Sequence, residues 1–341
     1  MNNKLYKNYV DDIAYYLKQE KRPKLAQAIG IYRMNEGVSN TPTMQWHDKI
    51  KNEANFRSLS ALNTIAGNNV KYEEKLGAHP SFLHLKHGDK SEYHYIVSMF
   101  IDIKNSTGLF KKYDPIVVAN ICRTIQLAAI HTCWYFDAYI HRLQGDGLMV
   151  YFGGKQTDKK KAVENALMAG SFISYFVKND LKDLFEEKGV NRIYTRIGID
   201  FGDADTTLWH NAGVGECSEI TTTSLHTSLA SKMQSQAESN GIVVGDNIIA
   251  FKSSSENLFS HKTYSENGIE KNFIYEIPEE KFRYKQHDFH WEKYLKNHPL
   301  IGEDNDGSLT FKGVPVVSSS HIHNNIQHLQ KNVSDYKPYF K

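Results

Sequence analysis

Cysteine is scarce in this chain: Cys122, Cys133 and Cys217 are the whole supply in 341 residues. An odd, widely spaced trio provides no disulfide framework and no close metal-type spacing, and it fits free thiols in a reducing cytosol. Surplus charge of one sign is missing too, with 41 Lys and Arg against 39 Asp and Glu and a formal net charge of +2. That balance argues against a nucleic-acid coat protein, which needs a strong basic excess. No run reaches the ~20 apolar residues expected of a membrane span. The start, Met1-Asn2-Asn3-Lys4-Leu5-Tyr6, lacks the apolar core of a signal peptide. A cytoplasmic protein with no membrane span and no nucleic-acid partner is the expectation. No internal repeat or low-complexity tract is visible, and neither the dinucleotide nor the P-loop glycine fingerprint follows a strand pattern.

What is present is core-forming material, 40% hydrophobic and 12% aromatic, enough for two or more folding units. Residues 1–90 read as a mostly helical region. Val10, Ile13, Ala14 and Leu17 have helical spacing, Lys24 to Ile31 and Trp46 to Leu62 read as further helices, and a polar linker follows. Residues 91–285 alternate strand and helix. Strands are expected at 94–103, 138–144, 147–153, 193–201 and 241–244, with helices near 114–135, 158–187 and 225–239. The order β-α-β-β-α-β implies an α+β, ferredoxin-like fold. Residues 286–341 form a polar extension, with a short strand expected at Val314 to Val317 and a helix from His321 to Lys331. Its six histidines sit in no closed zinc pattern.

Two aspartates carry the chemistry. Asp102 closes the apolar run Tyr95-Ile96-Val97-Ser98-Met99-Phe100-Ile101, and Asp146 sits in the Gly145-Asp146-Gly147 turn between two apolar strands. Each alone has a plain explanation: a helix cap for Asp102 and Ser106, a hairpin turn for Asp146. The strand order changes that, because the first strand neighbours the central hairpin and brings the two carboxylates face to face. Like charges so placed repel unless a cation sits between them. Hard oxygen donors, with a carbonyl such as that of Ile103, suit Mg²⁺ or Mn²⁺. The turn Ile103-Lys104-Asn105-Ser106-Thr107-Gly108 offers backbone amides and the Ser106 and Thr107 hydroxyls to a polyphosphate.

Three ordered segments then resemble a class III nucleotidyl cyclase catalytic domain over roughly residues 92–250. They are Asp102-Ile103-Lys104-Asn105-Ser106-Thr107, Arg142-Leu143-Gln144-Gly145-Asp146-Gly147-Leu148-Met149-Val150-Tyr151-Phe152-Gly153, and Arg196-Ile197-Gly198-Ile199-Asp200-Phe201-Gly202. The resemblance implies a head-to-tail homodimer with active sites between protomers. It also implies two Mn²⁺ or Mg²⁺ ions per site, held by Asp102, Asp146 and the Ile103 carbonyl. One metal would activate the nucleotide 3′-hydroxyl, and the other would neutralise the triphosphate as pyrophosphate leaves.

The chain departs from the family at the transition-state and base-reading positions. Ser228 stands where the family has a ribose-orienting Asn, and Lys232 where it has an Arg; Arg192 or Lys104 is an alternative cation. Arg142 and Thr221 occupy the base-reading positions and match neither purine pattern. The organisation is similar to bacterial pyrimidine cyclases of the antiphage signalling type, which implies a pyrimidine substrate, with UTP favoured over CTP. Tyr93, Tyr95 and Phe100 are expected to narrow the pocket for a one-ring base. An atypical purine cyclase and a catalytically silent cyclase-like module that binds nucleotide or a partner are the alternatives. A diguanylate-type relative is disfavoured, because Gly153-Gly154-Lys155-Gln156 carries no acid.

Overall fold

The computed structural model describes residues 4–18, 51–67, 75–86, 88–190, 192–252, 257–305 and 307–312. The helix expected at Lys24 to Ile31 and the elements expected beyond Val314 lie outside them.

An apolar run of nine residues makes the central strand β2 (Ile96–Lys104), after a short β1 (Ser91–Tyr93). Its two neighbours are antiparallel: β4 (Gly147–Phe152) on one side and β5 (Tyr194–Gly202) on the other. β3 (Ala138–Gln144) pairs with β4 beyond it, so the four run β5-β2-β4-β3. This is the expected βαββαβ arrangement, with strand 1 beside the hairpin. β8 (Gly241–Gly245) adds in parallel to β5, and β10 (Phe282–Phe289) and β9 (Ile274–Ile277) extend the same sheet. β10 runs through position 285, so the sheet continues into the region read as a polar extension.

Strand alternation sends Val97, Met99, Ile101 and Ile103 to one face of the sheet. Two long helices cover that face, α5 (Pro115–Tyr135) and α6 (Lys159–Tyr175). Asp114 and Asp158 cap them by accepting from backbone amides of their first turns. α5 is 21 residues and apolar enough, by length and composition, to cross a membrane, which corrects the reading that no segment approaches that length. Here it is a core helix: Val117, Ile121, Ile125 and Ala128 are buried in the cluster beneath the sheet. α1 (Lys7–Lys18) rests on its outer side, where Tyr9 donates or accepts at His131 Nδ1 at 2.8 Å. Residues 51–58 form helix α2, followed by α3 (Leu62–Ala66). The single helix expected at 158–187 is broken by a π turn at Phe176–Asp180 before α7 (Lys182–Glu187).

The opposite face, toward which Ser98, Phe100 and Asp102 alternate, carries the functional elements. β6 (Thr207–Val214) and β7 (Cys217–Ser224) form an antiparallel arm that pairs with β1. The segment read as a polar linker packs beneath this arm: Phe82 stacks on Trp209 at 4.0 Å between ring centroids. α8 (Leu225–Gln236) lies directly on β5. Only a glycine permits that approach, since a Cβ at Gly198 would meet Ala230 O at 2.1 Å and Gln234 N at 2.3 Å.

Candidate active site

The turn that carries Asp146 lies beside Asp102 at one rim of the sheet. The β2–β4 register pairs Ile101 with Leu148, which sets Gly147 beside Asp102: a Cβ at Gly147 would lie 2.6 Å from Ile101 O and 3.7 Å from Asp102 Cα. Gly147 is therefore glycine because the hairpin that carries Asp146 must close against the strand that carries Asp102. The turn itself needs Gly145 at φ 61. Gln126 of α5 braces it from below, donating to Gly147 O at 3.2 Å and Gly145 O at 3.4 Å.

Arg196 is the member of this group to which the sequence reading gave no role. It sits opposite Asp102 in the β2–β5 register, and its Nε and Nη2 both donate to Asp102 Oδ2, Nε at 3.2 Å. Its Nη1 donates to Ser235 O near the end of α8 at 3.3 Å. Strand parity was the available signal, since residues opposite each other in register share a face. Both guanidinium bonds fall on one carboxylate oxygen. Among the described residues, Asp102 Oδ1 and the Asp146 carboxylate have no hydrogen-bond or ion-pair partner. Two half-buried carboxylates with free hard oxygens at one rim fit a divalent cation. The Ile103 carbonyl, at the same rim, accepts from Ser106 Oγ at 3.4 Å.

The turn after β2 has Asn105 in the left-handed region (φ 72), and Ser106–Leu109 form a single helical turn, α4. Ser106 lies with Asp146, Gly145, Cys122 and Arg123 around an open cavity of about 350 Å³. Burial, and after it the charge of Asp146, push the Cys122 thiol up to about 11. Thr107 is exposed beside this turn.

The positions expected to read the base gather a second group. Arg142 of β3 is bonded to Glu219 of β7, with Nε at 3.1 Å from Oε2 and Nη2 on the other oxygen. His141 Nε2 lies 3.8 Å from Glu219 Oε1. Burial, with the charge of Arg142 adding to it, lowers the His141 pKa to about 4, so the ring is neutral near pH 7. A β-bulge between Ile140 and Arg142 brings these two side chains to the same side. Thr221 lies two residues from Glu219 on β7, beside the buried Tyr151 phenol, which also feels Arg142. Tyr151 hydrogen-bonds Thr222 Oγ1 at 3.0 Å. The structure thus brings Arg142 and Thr221 around one phenol and adds Glu219, which carried no sequence signal beyond its place on a Thr-rich strand.

Two expectations are corrected. Tyr95 stands seven residues from Asp102 on an extended strand, roughly 23 Å at ~3.3 Å per residue. It packs on Phe201, and Tyr93 is 63% exposed beyond it, so neither narrows a pocket at the acids; Phe100 alone of the three is near them, buried two residues away on the same face. Arg192 is paired with Glu186 at 2.8 Å and is not a spare cation. Ser228 and Lys232 lie one turn apart on the exposed side of α8. Ser228 Oγ donates to Ser224 O at 3.2 Å and Lys232 Nζ stands 5.4 Å above the Tyr275 ring. No hydrogen bond or ion pair joins either to Asp102 or Asp146 of the same chain.

Below the arm, Asp200 is fully buried. It accepts from Tyr284 OH at 2.6 Å and Phe201 N at 2.9 Å and bonds His226 Nδ1 at 2.9 Å. Burial raises its pKa, with these partners opposing the rise. A separate chain of hydroxyls runs from Ser98 through Thr227 and Thr222 to Tyr151, at 2.8, 3.0 and 3.0 Å. The hydroxyl chain ties α8 to β2, β4 and β7, and the Asp200 group ties it to β5 and β10.

Residues 89–270 match the family model of the adenylate and guanylate cyclase catalytic domain. A cytidylate cyclase of Staphylococcus aureus is 38% identical over 231 residues, covering 67% of this chain and 54% of that protein. A cytidylate cyclase of Escherichia coli is 32% identical over 231 residues, covering 65% of this chain and 50% of that protein. The chain spans about half the length of the curated relatives it matches. Among solved structures, the adenylyl cyclase CyaB from P. aeruginosa aligns with a TM-score of 0.48 at 17% identity, over 59% of this chain and 95% of that one.

Proposed function

The chain belongs to the adenylate and guanylate cyclase catalytic-domain family, and from that premise we propose that it converts CTP to 3′,5′-cyclic CMP and pyrophosphate. The observation that carries the base assignment is Glu219 bonded to Arg142 beside Thr221. Arg142 and Thr221 alone favoured UTP, because they offer donors and a hydroxyl to a base rich in acceptors. A carboxylate in the same group changes the preference. It accepts from the N4 amine of cytosine, whereas uracil presents an O4 acceptor there and is repelled. The relatives named cytidylate cyclases agree with this choice.

Asp102, Asp146 and the Ile103 carbonyl would hold Mg²⁺ or Mn²⁺. When bound, such ions supply Lewis-acid activation of the 3′-hydroxyl and neutralisation of the leaving pyrophosphate. The chain's own groups do the rest. Arg196 fixes Asp102 Oδ2 and leaves Oδ1 without a partner among the described residues, which sets the carboxylate's angle. The 103–108 turn offers backbone amides and the Ser106 and Thr107 hydroxyls to the phosphates. Ser228 and Lys232, exposed on α8, act in the site of a second copy. Ser228 bonds the ribose, and Lys232 balances charge growing on the α-phosphoryl oxygens as a point charge rather than a planar fork.

The test is a panel of the four NTPs with Mn²⁺ and identification of the cyclic products. Cyclic CMP as the main product supports the reading, and cyclic UMP or a cyclic purine keeps the class and overturns the base. No product from any NTP overturns the activity and leaves a nucleotide-binding module. The reading extends to a cytoplasmic second messenger in antiphage defence, checked by whether infection raises the cyclic nucleotide in cells.

A further inference from the structure

The described arginines are almost all spent. Arg57, Arg142, Arg192, Arg196 and Arg283 each pair with a carboxylate. Among the described residues, Arg123 alone of the arginines has no such partner, and it stands on the wall of the cavity that holds Asp146 and Ser106. Its placement is set by α5. Gln126, three residues on and so on the same helix face, is hydrogen-bonded to both carbonyls flanking Asp146. The neighbouring Cys122 thiol senses the Asp146 charge. The face of α5 that carries Arg123 therefore fronts the metal-acid rim, yet no ion pair closes between Arg123 and Asp146.

We propose that Arg123 is an anion-holding residue for the phosphate tail of the nucleotide, gripping the departing pyrophosphate from the α5 side. This rests on the cyclase reading and adds a binding residue to it. The charges favour it. A nucleoside triphosphate brings roughly four negative charges, and two divalent cations with Asp102 and Asp146 leave about two positive. Arg196 and Arg123, with Lys232 of the second copy, supply positive charge against the remainder. A guanidinium also offers the planar fork that phosphate oxygens accept in pairs, which the exposed Lys232 cannot. Ser106, across the cavity, supplies a hydroxyl donor to the same oxygens.

The experiment is calorimetric binding of Mg²⁺–pyrophosphate and, separately, of cyclic CMP to the full chain. It compares wild type with Arg123→Ala, Arg123→Lys and the remote control Arg283→Ala. Arg123→Ala should weaken pyrophosphate about tenfold and Arg123→Lys about threefold. Cyclic CMP, which lacks the tail, should bind all four proteins alike, and Arg283→Ala should match wild type. Equal pyrophosphate affinity in wild type and Arg123→Ala overturns the proposal, as does a parallel fall for both ligands or no pyrophosphate binding to wild type. Arg123-dependent pyrophosphate binding by a protein that cyclises no NTP keeps the anion site and removes the cyclase reading.

Discussion

Replacing Gly198 by alanine puts a methyl group where α8 rests on the sheet. The added Cβ would lie 2.1 Å from Ala230 O and 2.3 Å from Gln234 N, against 3.4 Å for an ordinary contact. Both atoms are helix backbone, so no side chain can turn aside, and α8 must lift by about 1 Å. Overpacking of this kind costs ~1–3 kcal/mol, a fall of several degrees in Tm at ~2–4 °C per kcal/mol. The larger effect is on turnover. α8 carries Ser228 and Lys232, and a displacement of ~1 Å in a positioned group costs on the order of 10²-fold in rate. Steady-state kinetics on the best NTP, beside a thermal melt, measure both. A Gly198→Ala variant with wild-type kcat and a Tm within about 1 °C would show that α8 is not seated as described.

Exchange between copies is testable by mixing inactive variants. Asp102→Asn and Lys232→Ala are each expected to lose at least about a hundredfold in turnover, but their mixture should recover about a quarter of wild-type activity, because half of the dimers would hold one intact site; no recovery contradicts a shared site. Glu219→Gln should lower kcat/KM for CTP by about ten- to a hundredfold, one charge-assisted hydrogen bond at ~1.5–3 kcal/mol, and raise it for UTP, whose O4 no longer faces a carboxylate; an unchanged CTP/UTP ratio removes Glu219 from base reading. For pH, His141 is lowered to about 4 by burial and then by Arg142, while the unfolded chain takes its proton near 6.5. Its contribution is present above pH 6.5 and is lost as pH falls toward 4, at about 1.4 kcal/mol per pH unit. Denaturant melts across that window should show His141→Leu with a slope shallower by that amount, and parallel slopes would refute the burial of a neutral ring.

The sheet core was legible because its strands are apolar runs with a face on each side. Ile96–Lys104, Gly147–Phe152 and Tyr194–Gly202 are buried along most of their length, so alternation and turn glycines placed them within two residues. The Gly145-Asp146-Gly147 hairpin was readable for the same reason, and with it the approach of the Asp146 turn to the end of β2. The β6–β7 arm was not. Cys217-Ser218-Glu219-Ile220-Thr221-Thr222-Thr223-Ser224 buries few side chains, and a polar strand held by pairing and hydroxyl bonds leaves little periodic signal. Glu219 was hidden with the arm that presents it. Arg196 was visible in its motif, but its role depends on the register opposite Asp102, which no local pattern encodes.

The central claim is that Asp102 and Asp146 support cyclisation of a pyrimidine nucleotide read by Arg142, Thr221 and Glu219. Its most direct measurement is product identification by mass spectrometry after the purified chain meets equimolar CTP, UTP, ATP and GTP with Mn²⁺. Cyclic CMP in excess over the other three products, lost in both Asp102→Asn and Asp146→Asn, is the predicted result. A cyclic purine as the dominant product, or turnover that survives either substitution, would contradict the account.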